Sequence, residues 1–318
     1  MATPVEHIVE LRGSSCHGKL VEPQVAGAML SRIEPLVRGA ITMSVFRASR
    51  KRGRPMEGLN TACQIFYSGQ SAGKGNSTRL HFTANRLLDS APQLFAQQSL
   101  FEEIAQPEET GFDLVRRMID DVAGQVTRSE RFDTDLLKQV AGFQTVLKKG
   151  VESIELSGSR KESANETKIT TEVIAAATQL RQATPPPRRV KIAGAFDIIR
   201  VSDKVFELLL PDGQRVRAVW AKDEVIGLGK FLSRDVVIEG VAVYRPSGTL
   251  LRVDTTAIAP ATNHDRNLFA QLPLPSAPAS IAAKQKPQTS TTGINAIWGI
   301  WPGEESDEEL LDSVEEVG

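Results

Sequence analysis

The chain has 318 residues, of which 41% are apolar, 24% charged and only 5% aromatic. That composition excludes a wholly disordered polymer and supplies core for roughly two folded units. The net charge of −1 hides an asymmetry: eight acidic and no basic residues lie between Glu304 and Gly318, so residues 1–303 carry about +7.

By charge alone, the acidic end is either an interaction tail or a solvated end, and the mildly basic body admits nucleic acid as a partner. Cys16 and Cys63 lack metal-type spacing, which fits a reducing compartment. There is neither a basic-then-apolar leader nor a run of about 18 apolar residues, so a cytoplasmic protein without a membrane span is expected.

Residues 7–11 read as a strand. Residues 22–46 have helical spacing at Val25, Met29, Ile33, Leu36 and Val37, and Pro35 is a point where such a helix can break, because proline removes a donor and clashes one turn back. Residues 62–67 and 80–82 read as short strands joined across SGQSAGKGNS, a Gly/Ser turn that makes a hairpin. Two amphipathic helices follow over 112–126 and 132–147, then a strand over 153–156 and a helix over 170–183. Pro185, Pro186 and Pro187 end that helix and mark a domain boundary.

Residues 188–260 are the clearest unit. Strands are expected over 190–199, 204–210 and 214–220, then a short helix over 222–232, then strands over 235–244 and 250–256. Pro211-Asp212-Gly213 and Arg245-Pro246-Ser247-Gly248 supply turn chemistry. Three strands, a helix and two strands is the order of a five-stranded OB-type barrel. Residues 261–292, rich in Pro, Ala, Ser and Thr, read as a flexible linker. The expected fold class is α+β: a mixed α/β and helical region over 1–184, an OB-like barrel over 188–260, the linker, and a short amphipathic helix in the tail over 293–318.

No catalytic template fits. His7, His17, His81 and His264 lie in no metal-ligand spacing and read as structural or surface residues. Gly73-Lys74 lacks the first glycine of a P-loop, and Asn76 stands where a hydroxyl is needed for magnesium. No nucleophile elbow is present. The expectation is a protein that is not an enzyme and needs no cofactor or metal.

Two features suggest binding. Arg47, Arg50, Lys51, Arg52 and Arg54 form a basic run with an Arg-Gly-Arg-Pro core similar to that of minor-groove hooks. The barrel adds Arg200, Arg215, Arg217 and Arg245 beside Phe196, Phe206, Trp220 and Tyr244, a set from which a single-strand surface can be built if the aromatics face outward. Period-2 placement favours the core for several of them. The nucleic-acid residues expected are Arg50, Lys51, Arg52, Arg54, Arg215 and Arg217.

The tail carries the stronger signal. Ile294, Ile297, Trp298, Ile300 and Trp301 cluster before Pro302-Gly303. Ser306 to Glu309 then form a capping box with acids in the first helical turn, and Leu310, Leu311, Val314 and Val317 make a narrow apolar stripe. So short a helix is marginal alone and is stabilised by a groove on another protein, with tryptophans as anchors, or by folding back on its own body. The partner-binding residues expected are Ile297, Trp298, Trp301, Pro302, Glu304, Asp307, Leu310, Leu311 and Val314.

The tail core, Trp301-Pro302-Gly303-Glu304-Glu305-Ser306-Asp307-Glu308-Glu309, resembles the C-terminus of bacterial antitoxin-like proteins encoded beside PIN-domain ribonuclease toxins. The stretches from Gly194 to Arg200 and from Gly240 to Gly248 resemble uncharacterised bacterial proteins with such tails. The resemblance implies a tail that fills a toxin groove and blocks RNA access. The chain departs from the pattern in being long and in lacking the small N-terminal DNA-binding module usual in antitoxins.

Overall fold

Strand β1 (Val5–Arg12) alternates, with His7, Val9 and Leu11 buried on one side and Glu6, Ile8 and Arg12 more exposed on the other. The computed structural model to which it belongs describes residues 4–50, 58–92, 95, 105–157, 167–200, 204–221 and 227–275. After β1 come a two-stranded ribbon, β2 (Cys16–His17) and β3 (Leu20–Val21), and the long helix α1 (Pro23–Phe46). Pro35 does not break α1. It and Ser31, whose carbonyl loses its i+4 donor, lie on the exposed face, where water can replace the missing bond.

A short turn of helix, α2 (Leu59–Ala62), precedes the hairpin β4 (Ile65–Ala72) and β5 (Ser77–Ala84). Residues 62–64 therefore do not begin the strand, and the predicted turn segment supplies strand residues up to Ala72. The reversal occupies residues 73–76, with Gly75 at φ +64°. Helices α3 (Leu87–Ser90), α4 (Gly111–Ala123), α5 (Thr134–Gly142) and α6 (Gln144–Leu147) follow. Thr110 and Asp113 form a reciprocal capping box at the start of α4. The helix predicted over 132–147 becomes two because the hydrogen bond at Phe143 reaches back three residues, to Val140, instead of four.

Strands β6 (Ser153–Leu156) and β7 (Thr167–Ile169) and helix α7 (Thr171–Ala183) complete this half. The sheet order is β4-β5-β1-β6-β7, with every pair antiparallel. Its inner residues form a core with those of α1, α4, α5 and α7. Its outer face is laced with charge: Lys168 pairs with Glu155 at 2.9 Å, Glu155 with Arg12 at 2.9 Å, Arg12 with Glu10 at 3.0 Å and Glu10 with Arg79 at 2.8 Å. On the same face the Ser71 hydroxyl lies 2.7 Å from His81 Nε2, and His81 Nδ1 lies 2.8 Å from Glu6 Oε1. His7, by contrast, is structural: it stacks on Phe112 at 4.6 Å and bonds Thr110, and burial, outweighing Asp113, lowers its pKa.

The proline run ends where β8 (Arg188–Arg200) begins. With β9 (Val205–Leu209), β10 (Arg215–Trp220), β11 (Asp235–Tyr244) and β12 (Leu250–Pro260) it forms a closed five-stranded barrel, so the fold is α+β with a small barrel. The strands close in the order β10-β12-β11-β8-β9, with β10 and β12 parallel and the other pairs antiparallel, an arrangement of OB type. Gly240 sits at the bulge between β11 and β12. A Cβ there would lie 2.4 Å from the Asp254 carbonyl, so the close approach requires glycine. Of the helix predicted over 222–232, the described part forms a 3-10 turn at Leu228–Phe231; residues 222–226 lie outside the described set.

The stretch predicted as a linker from residue 261 begins instead with α8 (Asn263–Phe269), started by a Thr262–Asp265 capping box. Arg266 ties it to Asp235 of the barrel at 3.1 Å. Contacts divide the chain into two units, residues 1–276 and 277–318. The tail helix expected after Ser306 lies outside the described residues. Cys16 and Cys63 are free, buried thiols, and burial pushes Cys63 up to about 11, which makes it a poor nucleophile at neutral pH. Among the described residues no helix is long and apolar enough to cross a membrane.

Candidate binding cleft

The barrel and the helical half meet along a seam built from charge. Helix α1 ends at Arg47, which adopts the left-handed conformation at φ 56°. Glycine is the residue best suited to that position, and a side chain there costs roughly 1–2 kcal/mol. Arginine stands there because its side chain turns into the seam. It is buried, and its Nη1 lies 2.9 Å from Glu130. Its carbonyl accepts a 2.6 Å bond from Arg252 of β12.

Glu130 lies between α4 and α5 and is shared by three guanidiniums. Besides Arg47 it receives Arg245 at 2.5 Å and Arg217 at 3.6 Å. Burial alone would raise its pKa, but Arg47, Arg245 and Arg217 together hold the carboxyl below its ordinary value. Arg47 shifts in the complementary sense. Burial, then the neighbouring Arg217, lower it to about 10 against the pull of Glu130, so it stays charged at neutral pH. A few residues on, Asp133 caps α5 through the Leu136 N–H at 3.1 Å. It also accepts from the Ser49 N–H and hydroxyl, at 3.0 and 2.6 Å, and faces Arg252 at 3.7 Å. Val243 and Leu251, from the barrel strands, join the core of the helical half.

Along this seam opens a cleft of about 620 Å³ lined by Glu130, Ile198, Glu207, Gln214, Arg215, Arg217, Arg245, Thr249 and Leu272, among others. That size suits a small ligand or a few monomers of a polymer. Arg215 bonds Asp197 at 2.6 Å, and Arg217 bonds Glu207 at 3.2 Å. The lining sets three guanidiniums, Arg215, Arg217 and Arg245, beside two carboxylates, Glu130 and Glu207, a cleft suited to an anion or to polar recognition.

The sequence-predicted residues fare unequally. Arg215 and Arg217 come together at the cleft as a pair. Arg50 is exposed and distinct from it, 3.6 Å from Asp135. Lys51, Arg52 and Arg54 lie outside the described residues, as do all the tail residues from Ile297 to Val314; of Arg200 only the backbone is described. The aromatics do not form a stacking surface. Phe196 and Phe206 stack on each other at 4.9 Å inside the barrel, and Tyr244 and Trp220 are buried with them. Inward alternation explains this, since a small barrel fills its interior with side chains.

Sequence reasoning missed Glu130, Asp133 and Arg252 and placed Arg47 only in the basic run, because their partners are far away along the chain. The one local clue was an arginine directly after a long helix. Among the described residues no group of three or more His, Cys, Asp or Glu side chains is placed to hold a metal. No family model, curated protein or solved structure matches the chain.

Proposed function

We propose that this chain is a binding protein of antitoxin type whose C-terminal residues 293–318 engage a PIN-domain ribonuclease. The observation that carries the reading is the composition of that stretch. It has two tryptophans and three isoleucines within eight positions, followed by a capped acidic segment with an apolar stripe. Such a segment buries its apolar surface most favourably in a foreign groove, with Trp298 and Trp301 as anchors and Leu310, Leu311 and Val314 filling the channel. Its acidic residues suit the basic lining with which a ribonuclease meets RNA.

The test is co-purification with the product of the gene adjacent to this chain's own. Deleting residues 293–318 should abolish capture, and changing Trp298 and Trp301 together to alanine should raise the Kd about 100-fold or more. Capture that survives the deletion would sink the assignment.

A second reading, nucleic-acid binding by the barrel, is favoured by the cleft, where Arg215, Arg217 and Arg245 stand beside Gln214 and Thr249. With the barrel aromatics buried, such binding rests on phosphate contacts and falls steeply with salt. A single-stranded oligonucleotide should be retarded in a gel at low salt, and Arg215→Ala with Arg50→Ala should weaken the shift. No retardation at low salt removes this reading.

A further inference from the structure

We propose that Ser71, His81 and Glu6 form a nucleophilic site for acyl transfer on the outer face of the β4-β5-β1 sheet, acting on small activated esters. This goes beyond the partner-binding reading and does not depend on it. The three residues come from three adjacent strands and form one hydrogen-bonded chain, 2.7 Å from Ser71 to His81 and 2.8 Å from His81 to Glu6. A nucleophile within reach of a base, with that base oriented by a third group, is the arrangement that activates a hydroxyl.

The proton positions follow from the chemistry of the groups. An ionised Glu6 can only accept, so the neutral His81 ring carries its hydrogen on Nδ1. Nε2 is then the acceptor, and Ser71 donates its O–H to it, the direction that a general base needs. The backbone makes room for this. Gly69 stands directly opposite His81 in the register, next to a bulge at Ser68, and a Cβ on Gly69 would meet nothing within 4 Å. With no side chain facing it, the imidazole leans diagonally to Ser71.

Arg79 is the residue directly opposite Ser71, and Glu10 holds its Nε at 2.8 Å. Glu10 belongs to β1, on the other side of β5 from Ser71, so Arg79 shares the outer face of the sheet but is drawn toward β1. The site is open to solvent: the side chains of Glu6 and His81 are 63% and 23% exposed. Phe66, 55% exposed, pairs in register with Thr83, and Thr83 with Glu6, so its ring lies on the same face. An open face with one exposed ring suits a short acyl group on an aromatic leaving group.

In the reaction, Ser71 Oγ bonds to the acyl carbon as its proton passes to His81 Nε2. The ester C–O bond breaks, and the departing alkoxide or phenolate takes that proton. Water then attacks the acyl-serine, gives a proton to His81, and releases the acid as Ser71 regains its hydrogen. No electrons are exchanged with any other reagent.

The test is labelling of the full chain with a fluorophosphonate probe, read by intact mass and peptide mapping. One adduct is expected, on Ser71. It should be missing in Ser71→Ala and retained in Ser68→Ala, form about 100-fold more slowly in His81→Ala, and slow about 10-fold in Glu6→Gln. Melting temperatures of the variants establish that they are folded. A chain of hydrogen bonds that only ties strands together gives no adduct, so an unlabelled Ser71 in the folded parent overturns the proposal. So does a labelling rate unchanged by His81→Ala.

Discussion

Replacing Asp133 with alanine is expected to cost about 3–5 kcal/mol of stability, the range for removing one partner from a buried ionic network. Its side chain is almost wholly buried and serves three structures at once. It caps α5, it satisfies the Ser49 N–H and hydroxyl where the chain leaves α1, and it faces Arg252 from the barrel. Alanine leaves those donors without an acceptor in a place water reaches poorly. The midpoint of urea denaturation should fall accordingly, and Asp133→Asn, which keeps one acceptor oxygen, should recover part of the loss. A midpoint shift for Asp133→Ala no greater than that of a surface substitution would show that the seam is not held at this point.

Glu130→Ala comes next, with an expected loss of about 2–4 kcal/mol, less than for Asp133 because Glu130 is about one-third exposed. Its removal leaves the buried Arg47 facing Arg217 and Arg245 with no shared counter-charge. The same residue makes a pH prediction. Its folded pKa lies below the ordinary 4.5, because the three arginines outweigh burial. Its stabilising contribution is therefore complete above about 4.5 and is lost as pH falls through the lower folded value. Glu10 and Glu155, also lowered by their arginine and lysine partners against the effect of burial, act with the same sign. Melting temperatures between pH 7 and pH 3 should thus drop less steeply for Glu130→Gln than for the parent, while still dropping. Superimposable curves would show that Glu130 does not titrate with folding.

The barrel was legible in the sequence because each of its strands announces itself locally. The alternation through Val216, Ala218 and Trp220, and the turns at Asp212-Gly213 and Ser247-Gly248, depend only on neighbours a few positions away. The same locality revealed α4 and α7. The seam was illegible for the opposite reason: Arg252 meets Arg47 across 205 positions, and Arg245 meets Glu130 across 115. Nothing in the residues flanking Glu130 signals that three arginines will converge there. The Ser71 chain was hidden likewise, since Glu6 comes beside His81 only through strand pairing. The basic barrel positions could be named as a group, but whether Arg217 faces solvent or a carboxylate is decided by Glu207 on the neighbouring strand.

The placement of β1 has a consequence for biosynthesis. It is the middle strand of its sheet, hydrogen-bonded on one side to residues 77–84 and on the other to residues 153–156. This strand therefore waits for more than a hundred later residues to be translated before both its edges are paired, and chaperones would meet it in that interval. The barrel strands, by contrast, lie within 73 consecutive positions, 188–260, and can find one another quickly once translated.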